Sequence, residues 1–330
     1  MTRYVVIGAG ALGGILAAEL HATGASAVLV ARGAHGAAIR SEGLRIRRPD
    51  TTDVVRVPVV SGPDDIALDP DDVLVLAVKT QDVETVLQAW SWLPVTGGGV
   101  AADLPILTLQ NGLATEDAVL RRFGEVYAAT AWIAASHLTA GEVVSPSWPT
   151  VGIVWLGTHH GGTDERAESI AADLRAAHFA ATAVPDVERW KAHKLRGNVV
   201  NGLDLFAGDE ADLARAGALL LAELDAVYAA AGIVPIDPAE AVADVPSLDI
   251  GTVPGHEIHR RSTWQSFARG AGSEVDYLNG EVVLLGRRHG VATPVNEALQ
   301  RTLGLRSATG ASTEPIDVSE LLTGSLAPTA

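Results

Sequence analysis

No cysteine occurs among the 330 residues, which excludes disulfide scaffolds, thiolate catalysis and Cys-ligated zinc. Basic charge is scarce as well: 24 Lys and Arg stand against 40 Asp and Glu, a formal net charge of −16. That balance opposes non-specific attraction to nucleic acid or to anionic lipid, both of which need clustered cations. A small anionic ligand needs only a local basic patch. Long unbroken apolar runs are missing too. Ala216 to Ala231 is interrupted by Glu223 and Asp225, so it reads as a buried helix and not a membrane span. Tyr4 to Ala18, behind Arg3, imitates a secretory leader. Glycines at 8, 10, 13 and 14, and direct continuation into a patterned strand, read against a leader. These absences fit a cytoplasmic protein.

What is present suits a well-packed enzyme, with 48% hydrophobic and 19% charged residues and a length that allows two domains. Through the first half, short apolar runs alternate with helical patterns. Tyr4–Ile7, Ala27–Ala31, Val73–Val78 and Ile106–Leu109 read as strands, Leu12–Thr23 as a helix, and Val126–Gly157 as further β-rich chain. This alternation predicts an α/β fold with a Rossmann-type, doubly wound parallel sheet. After Pro185 long helical patterns dominate: Val187–Phe206, Leu213–Ala231, Glu257–Arg269, Glu274–His289 and Val295–Leu305. The expected division is residues 1–185, a nucleotide-binding domain; 186–306, an all-helical catalytic domain; and 307–330, a Ser/Thr/Pro/Ala-rich mobile tail with only Leu321-Leu322 as core-forming content.

The opening strand runs into Gly8-Ala9-Gly10-Ala11-Leu12-Gly13, a Gly-x-Gly-x-x-Gly pattern that also opens a helix. That context gives the pattern its meaning as a dinucleotide fingerprint. Gly8 allows the tight turn, Gly10 lets backbone approach the pyrophosphate, and Gly13 lets helix and strand pack closely. The pyrophosphate then lies over free N–H groups at the helix N-terminus. At the end of the second strand, 24 residues after Gly8, stands Arg32 with no acid beside it. An acid there would hold a ribose hydroxyl, whereas Arg suits a 2′-phosphate, so NADP(H) is the expected cofactor.

Further along, Lys194, Asn198 and Asn201 are spaced to share one stripe of a helix flanked by Leu195, Val199 and Val200. Polar groups on a packed helix need partners or a task, and an interdomain hydrogen-bond cluster or a solvated face would serve as well. Glu274 follows Gly272-Ser273 at the start of a helix, with Asp276 completing a Ser-x-x-Asp capping pattern. The helix dipole alone accounts for an acid in that place.

Six separated blocks then occur in order: Gly8 to Gly14, Ala31-Arg32-Gly33-Ala34-His35, Ala77-Val78-Lys79-Thr80-Gln81, Gln110-Asn111-Gly112-Leu113, Lys194-Leu195 with Asn198, and Ser273 to Gly280. The last continues through Gly286 to Gly290 and Thr293-Pro294-Val295-Asn296. In these blocks the chain resembles the ketopantoate reductases (2-dehydropantoate 2-reductases) from residue 1 to about 305. The resemblance implies that Lys194 is the general acid in hydride reduction of a carbonyl, and that Glu274 holds its ammonium and touches cofactor or product. It implies further that Asn198 binds substrate and that Asn111 lies between nicotinamide ribose and substrate. Lys79 and Arg32 would contact the cofactor, and Ser262, continued by Thr263-Trp264-Gln265, would bind the substrate carboxylate. Cofactor and substrate are expected to meet in a cleft between the domains.

The chain also departs from the family. A second Asn commonly stands eight residues after the lysine; here that position is Gly202, and Asn201 comes one earlier. Ser266 replaces a common Asp, Thr263 a common Met, and Trp264 adds bulk. The expected substrate is therefore ketopantoate or a larger, more apolar 2-oxo acid. Two other readings stay open: an oxidoreductase acting on an imine or other carbonyl in secondary metabolism, and a non-catalytic NADPH sensor. His256 with His259, and His159-His160, could ligate a metal, but neither pair has a third ligand nearby and no metal is expected. The seven Trp residues are expected in core or interface, apart from Trp264. A homodimer is an allowed assembly.

Overall fold

The computed structural model describes residues 2–237, 239–240, 247–256, 261–270, 272–310 and 312–324. The chain divides into two compact units: Met1–Gln110 with Thr115–Trp190 and Ala239–Ile258, and Asn111–Ala114 with Lys191–Pro238 and His259–Ala330.

The first unit is built on an eight-stranded sheet in the order Phe179–Ala183, Gly152–Thr158, Val126–Trp132, Ile106–Thr108, Asp72–Leu76, Arg3–Ile7, Ser26–Val30 and Val59–Val60. Its central strands are apolar on both faces because both faces are covered. Tyr4 and Val6 enter one hydrophobic core, whereas Val5 and Ile7 enter the other. Arg3–Ile7 pairs in parallel with Ser26–Val30 on one side and with Asp72–Leu76 on the other. The chain order reverses at this strand, and open α/β sheets bind ligands beyond the carboxyl ends at such a point.

The sheet is not wholly parallel, as the sequence pattern suggested. Gly152–Thr158 runs antiparallel to Val126–Trp132, and Phe179–Ala183 follows it in parallel. A parallel return needs a crossover, usually helical, and residues 133–151 supply only the short strand Glu142–Val144. That strand joins Leu44–Arg47 and Thr52–Val55 in a small three-stranded sheet with no signal in the alternation.

The second unit is helical apart from a two-residue parallel pair, Phe206–Ala207 with Ile316–Asp317. Glu210–Ala231 starts where the Asp209 carboxylate accepts from the Asp212 N–H at 2.7 Å and stops at the left-handed Gly232. Asn279–His289 and Pro294–Thr309 pack beside it. Among the described residues, no helix is long and apolar enough to cross a membrane.

Several sequence expectations are corrected. The boundary falls at residue 190, inside the helix Val187–Asn198, and not at 185. Residues 247–256, assigned by sequence to the helical domain, belong to the first unit: Trp148 N–H donates to the Asp249 carbonyl at 3.2 Å and Gly251 N–H to the Pro146 carbonyl at 2.9 Å. The tail does not hang free over residues 312–324. Its backbone pairs with Phe206–Ala207, and Ile316, Val318, Leu321 and Leu322 are buried in the core with Leu299 and Leu303. Four apolar side chains outweigh a polar composition. Residues 325–330 lie outside the described residues, as do 257–260 of the helix expected over Glu257–Arg269, which is seen as Ser262–Ala268.

Candidate active site

In the first unit, Gly10 caps the helix Ala11–Ala22 without a side-chain bond, leaving the first N–H groups to other acceptors. Gly8 has φ +115°, and a Cβ there would stand 2.8 Å from the Ala77 and Val78 backbone; one on Gly13 would strike the Gly8 carbonyl oxygen. These two glycines are demanded by the protein's own packing. A Cβ on Gly10 would meet nothing within 4 Å, so the open space before the helix is unclaimed by protein and fits a pyrophosphate. His35 holds this loop, and Gln110 holds the neighbouring segment that Gly8 packs against. His35 Nε2–H donates to the Ala9 carbonyl at 2.8 Å while its Nδ1 accepts from Gly141 N–H at 2.8 Å. Burial first, and the neighbouring His137 second, push the His35 pKa down to about 4, which keeps this neutral tautomer. The Gln110 amide donates to the carbonyls of Leu76 and Val78, at 2.7 and 2.8 Å. Neither residue was assigned a role from sequence, although both sit in the quoted blocks.

Beside the loop is a cavity of about 270 Å³ lined by Gly8, Ala9 and Arg32, by Ser61 and Gly62, and by an apolar wall that includes Val86 and Trp90. Arg32 is exposed and caps the helix Gly33–Glu42. The cavity has the size and the mixed lining of an adenosine site. Lys79 caps the 3₁₀ turn Thr80–Asp82 and is half-buried.

In the second unit, the helix bearing Lys194 ends at Asn198, and Asn201 opens a 3₁₀ turn. The single helical stripe drawn from sequence is therefore broken, yet the two amides still meet. Asn201 Nδ2 donates to Asn198 Oδ1 at 3.4 Å and to Ser262 Oγ at 3.3 Å. Asn198 Nδ2 is buried with no hydrogen-bond partner among the described residues. A buried donor left without an acceptor is costly, and a bound ligand is one way to satisfy it. Gly202 packs where a Cβ would stand 2.9 Å from the methyl ends of Leu299 and Leu303, so a larger residue there would require those side chains to shift.

Lys194 is half-buried. Desolvation first and the Lys191 ammonium second pull its pKa down to about 7, against the pull of Glu274 in the opposite direction. A lysine in water, by contrast, is fully charged at neutrality. Glu274 does not open the long helix. It caps the 3₁₀ turn Val275–Tyr277, Ser273 Oγ accepts from Val275 N–H, and Asp276 accepts from Gln300 Nε2 at 2.8 Å in place of the expected capping pattern. Asn111 belongs to this unit, although sequence put it with the sheet. Gly112, at φ +83°, lies where a Cβ would be 2.5 Å from the Tyr277 carbonyl, and Leu113 packs with Leu195, Val199 and Leu278.

A network that sequence reasoning missed supports the turn at 199–201. Asn279 Nδ2 donates to the Val199 carbonyl at 2.8 Å and to Asn296 Oδ1 at 2.9 Å. Asn296 donates in turn to the Glu223 carboxylate at 2.8 Å, which also accepts the Val295 and Asn296 N–H groups. Glu223 thus caps Pro294–Thr309. Of the expected carboxylate segment, Ser262 is exposed, Gln265 half-buried and Thr263 buried, and Trp264 packs against the core containing Phe267 and Leu299. Trp90, Trp155 and Trp190 are buried, while Trp92 and Trp148 are exposed. Among the described residues no group of three His, Asp or Glu could hold a metal; His159 faces Glu188 at 3.4 Å, and His259 lies outside the described residues.

Two family models cover the chain: ketopantoate reductase PanE/ApbA over residues 4–161 and its C-terminal partner over residues 190–307. The chain belongs to the ketopantoate reductase family. It is 27% identical to 2-dehydropantoate 2-reductase of Archaeoglobus fulgidus, over 90% of this chain and 95% of that one. It is also 27% identical to the Halobacterium salinarum enzyme of the same name, over 93% and 100%. A PanE/ApbA family ketopantoate reductase from Ralstonia eutropha JMP134 superposes with a TM-score of 0.73 at 25% identity, covering 94% of this chain and 99% of that one. D-mandelate dehydrogenase, solved with NADH and anilino(oxo)acetate, shares the fold at a TM-score of 0.75 and 22% identity, over 94% and 99%. Membership makes this ketopantoate reductase-family chain an oxidoreductase of the type that reduces 2-oxo acids.

Proposed function

We propose that this protein reduces the carbonyl of a 2-oxo acid to the 2-hydroxy acid with NADPH, with Lys194 as the proton donor. The observation that carries the reading is a desolvated lysine beside Glu274, on the helix that also ends in Asn198, whose Nδ2 has no hydrogen-bond partner among the described residues. When bound, a reduced nicotinamide supplies hydride to the carbonyl carbon. Lys194 gives its proton to the oxygen as negative charge develops there, and the amine is left neutral. A cation aimed at that oxygen favours the transition state over the ground state. With a pKa of about 7, Lys194 is both a stronger acid than an ordinary lysine and easily reprotonated at neutral pH. Glu274 keeps part of the population charged. Asn198, Asn201 and Ser262 are the groups for the substrate's carboxylate and carbonyl, with Asn111, Thr263, Trp264 and Gln265 around them.

On the cofactor side, Gly8 to Gly13 would receive the pyrophosphate, Lys79 would contact the cofactor, and Asn111 would lie by the nicotinamide ribose. Arg32, with no acid beside it, favours the 2′-phosphate. The substrate is ketopantoate or a bulkier 2-oxo acid. D-mandelate dehydrogenase, solved with NADH and anilino(oxo)acetate, an oxamate that carries an aromatic ring beside its carboxylate, supports including aryl acids among the candidates. The test is NADPH and NADH consumption across a panel of 2-oxo acids, ketopantoate and aryl acids included. Turnover that disappears in Lys194→Met supports the reading. Tight NADPH binding with no turnover of any acid would reassign the protein to imine reduction or to sensing.

A further inference from the structure

Strands Ser26–Val30 and Val59–Val60 run parallel with Val30 opposite Val60, and the Ala31 N–H donates to the Val60 carbonyl at 2.9 Å. Just past their carboxyl ends stand Arg32 on one and Ser61-Gly62 on the other, and all three line the same 270 Å³ cavity as Gly8 and Ala9. The helix capped by Arg32, Gly33–Glu42, carries Arg40 in its last turn, and Arg40 Nη1 donates to Ser61 Oγ at 3.0 Å. A hydroxyl that accepts from a guanidinium keeps its own hydrogen for another acceptor. Its position on the cavity wall makes a bound ligand the natural recipient.

The charges around Ser61 point the same way. Asp65 accepts the Ser61 N–H at 2.9 Å, and Asp64 is beside it, so this loop alone would repel an anion. Arg40 offsets those acids at the hydroxyl itself. Asp82 lines the cavity on the wall that carries Thr85 and Trp90, where the ligand's neutral base fits and an anion does not.

We propose that the Ser61 hydroxyl, oriented and polarised by Arg40, is a second ligand of the dinucleotide's 2′-phosphate alongside Arg32. The inference rests on the NADPH reading above and adds two specificity residues to it, one touching the phosphate and one acting through the other.

Calorimetry of the full-length protein with 2′,5′-ADP and with 5′-AMP, which differ only in the 2′-phosphate, tests it without any turnover. Wild type is expected to prefer 2′,5′-ADP. Ser61→Ala and Arg40→Gln should each weaken 2′,5′-ADP by roughly 5- to 10-fold, the scale of one charge-assisted hydrogen bond at a partly exposed site, with 5′-AMP unchanged. Ser61→Thr should keep the preference, and the double variant should be no worse than either single one because the pair acts as a unit. If both variants match wild type, or weaken the two ligands equally, while Arg32→Ala still loses 2′,5′-ADP selectively, the proposal falls and the NADPH reading stands. If wild type binds the two ligands alike, both fall.

Discussion

The turn at residues 8–13 and the stretch at 194–201 prepare for ligands by different means. The first works with backbone: bare glycines, a helix N-terminus, an Ala9 carbonyl held by His35, and beside them the Leu76 and Val78 carbonyls held by Gln110. Almost nothing in it titrates, since burial keeps His35 neutral down to a pKa of about 4. The second works with side chains: a lysine pulled toward neutrality, two amides and a hydroxyl, supported by the buried chain Asn279–Asn296–Glu223. Backbone sites tolerate pH and fail by steric intrusion. Side-chain sites tolerate small steric changes and fail when one charge or one hydrogen bond is lost.

The largest effect that would sharpen this contrast belongs to Lys194→Met. Loss of the proton donor should lower kcat by about 10²- to 10⁴-fold while the Kd for NADPH, measured by fluorescence, stays within about twofold. Rate and affinity falling together would mean that the two sites are not separable.

Next is the reverse experiment. Gly13→Val drives a side chain onto the Gly8 carbonyl. Dinucleotide affinity should drop by about 10- to 100-fold, the cost of overpacking a rigid turn, with little change in the Tm of the helical unit. Normal affinity would show that the glycine loop yields.

The pH profile should follow the side-chain unit alone. In the proposed mechanism protonated Lys194 is the donor, so the competent fraction falls as pH rises through about 7. For reduction, kcat/KM should decline about tenfold per pH unit above that point, whereas an ordinary lysine would hold it flat to about pH 10. NADPH affinity should change little over the same range.

The smallest of the four effects is expected for Asn279→Asp. This nearly isosteric change replaces a donor by an anion facing the Val199 carbonyl and Asn296 Oδ1. The KM for the oxo acid should rise about tenfold, with kcat and NADPH binding less affected, and should recover partly at low pH as the carboxyl regains a proton. An unchanged KM would leave the network a purely structural role.

The glycine fingerprint and the Arg32 position were legible because each depends on local geometry: a strand, a turn and a helix start within 30 residues. The central strands were readable for the same reason, since an apolar run covered on both faces needs no knowledge of its neighbours. The antiparallel Gly152–Thr158 and the small sheet of Leu44–Arg47 were not readable, because strand direction depends on how a loop returns and period-two patterning carries no direction. The packing of residues 312–324 was hidden by composition, where four core side chains stand among polar ones.

The identities and spacing of Lys194, Asn198 and Glu274 were written in the chain, and with them the kind of chemistry available. Tertiary structure alone decided that Asn111 joins the helical unit, that Gly202 packs against Leu299 and Leu303, and that Lys194 titrates near neutrality. Sequence specifies which groups exist and their intrinsic proton affinities. Desolvation and contact between residues scores of positions apart are properties of the folded surroundings, and a linear pattern does not contain them.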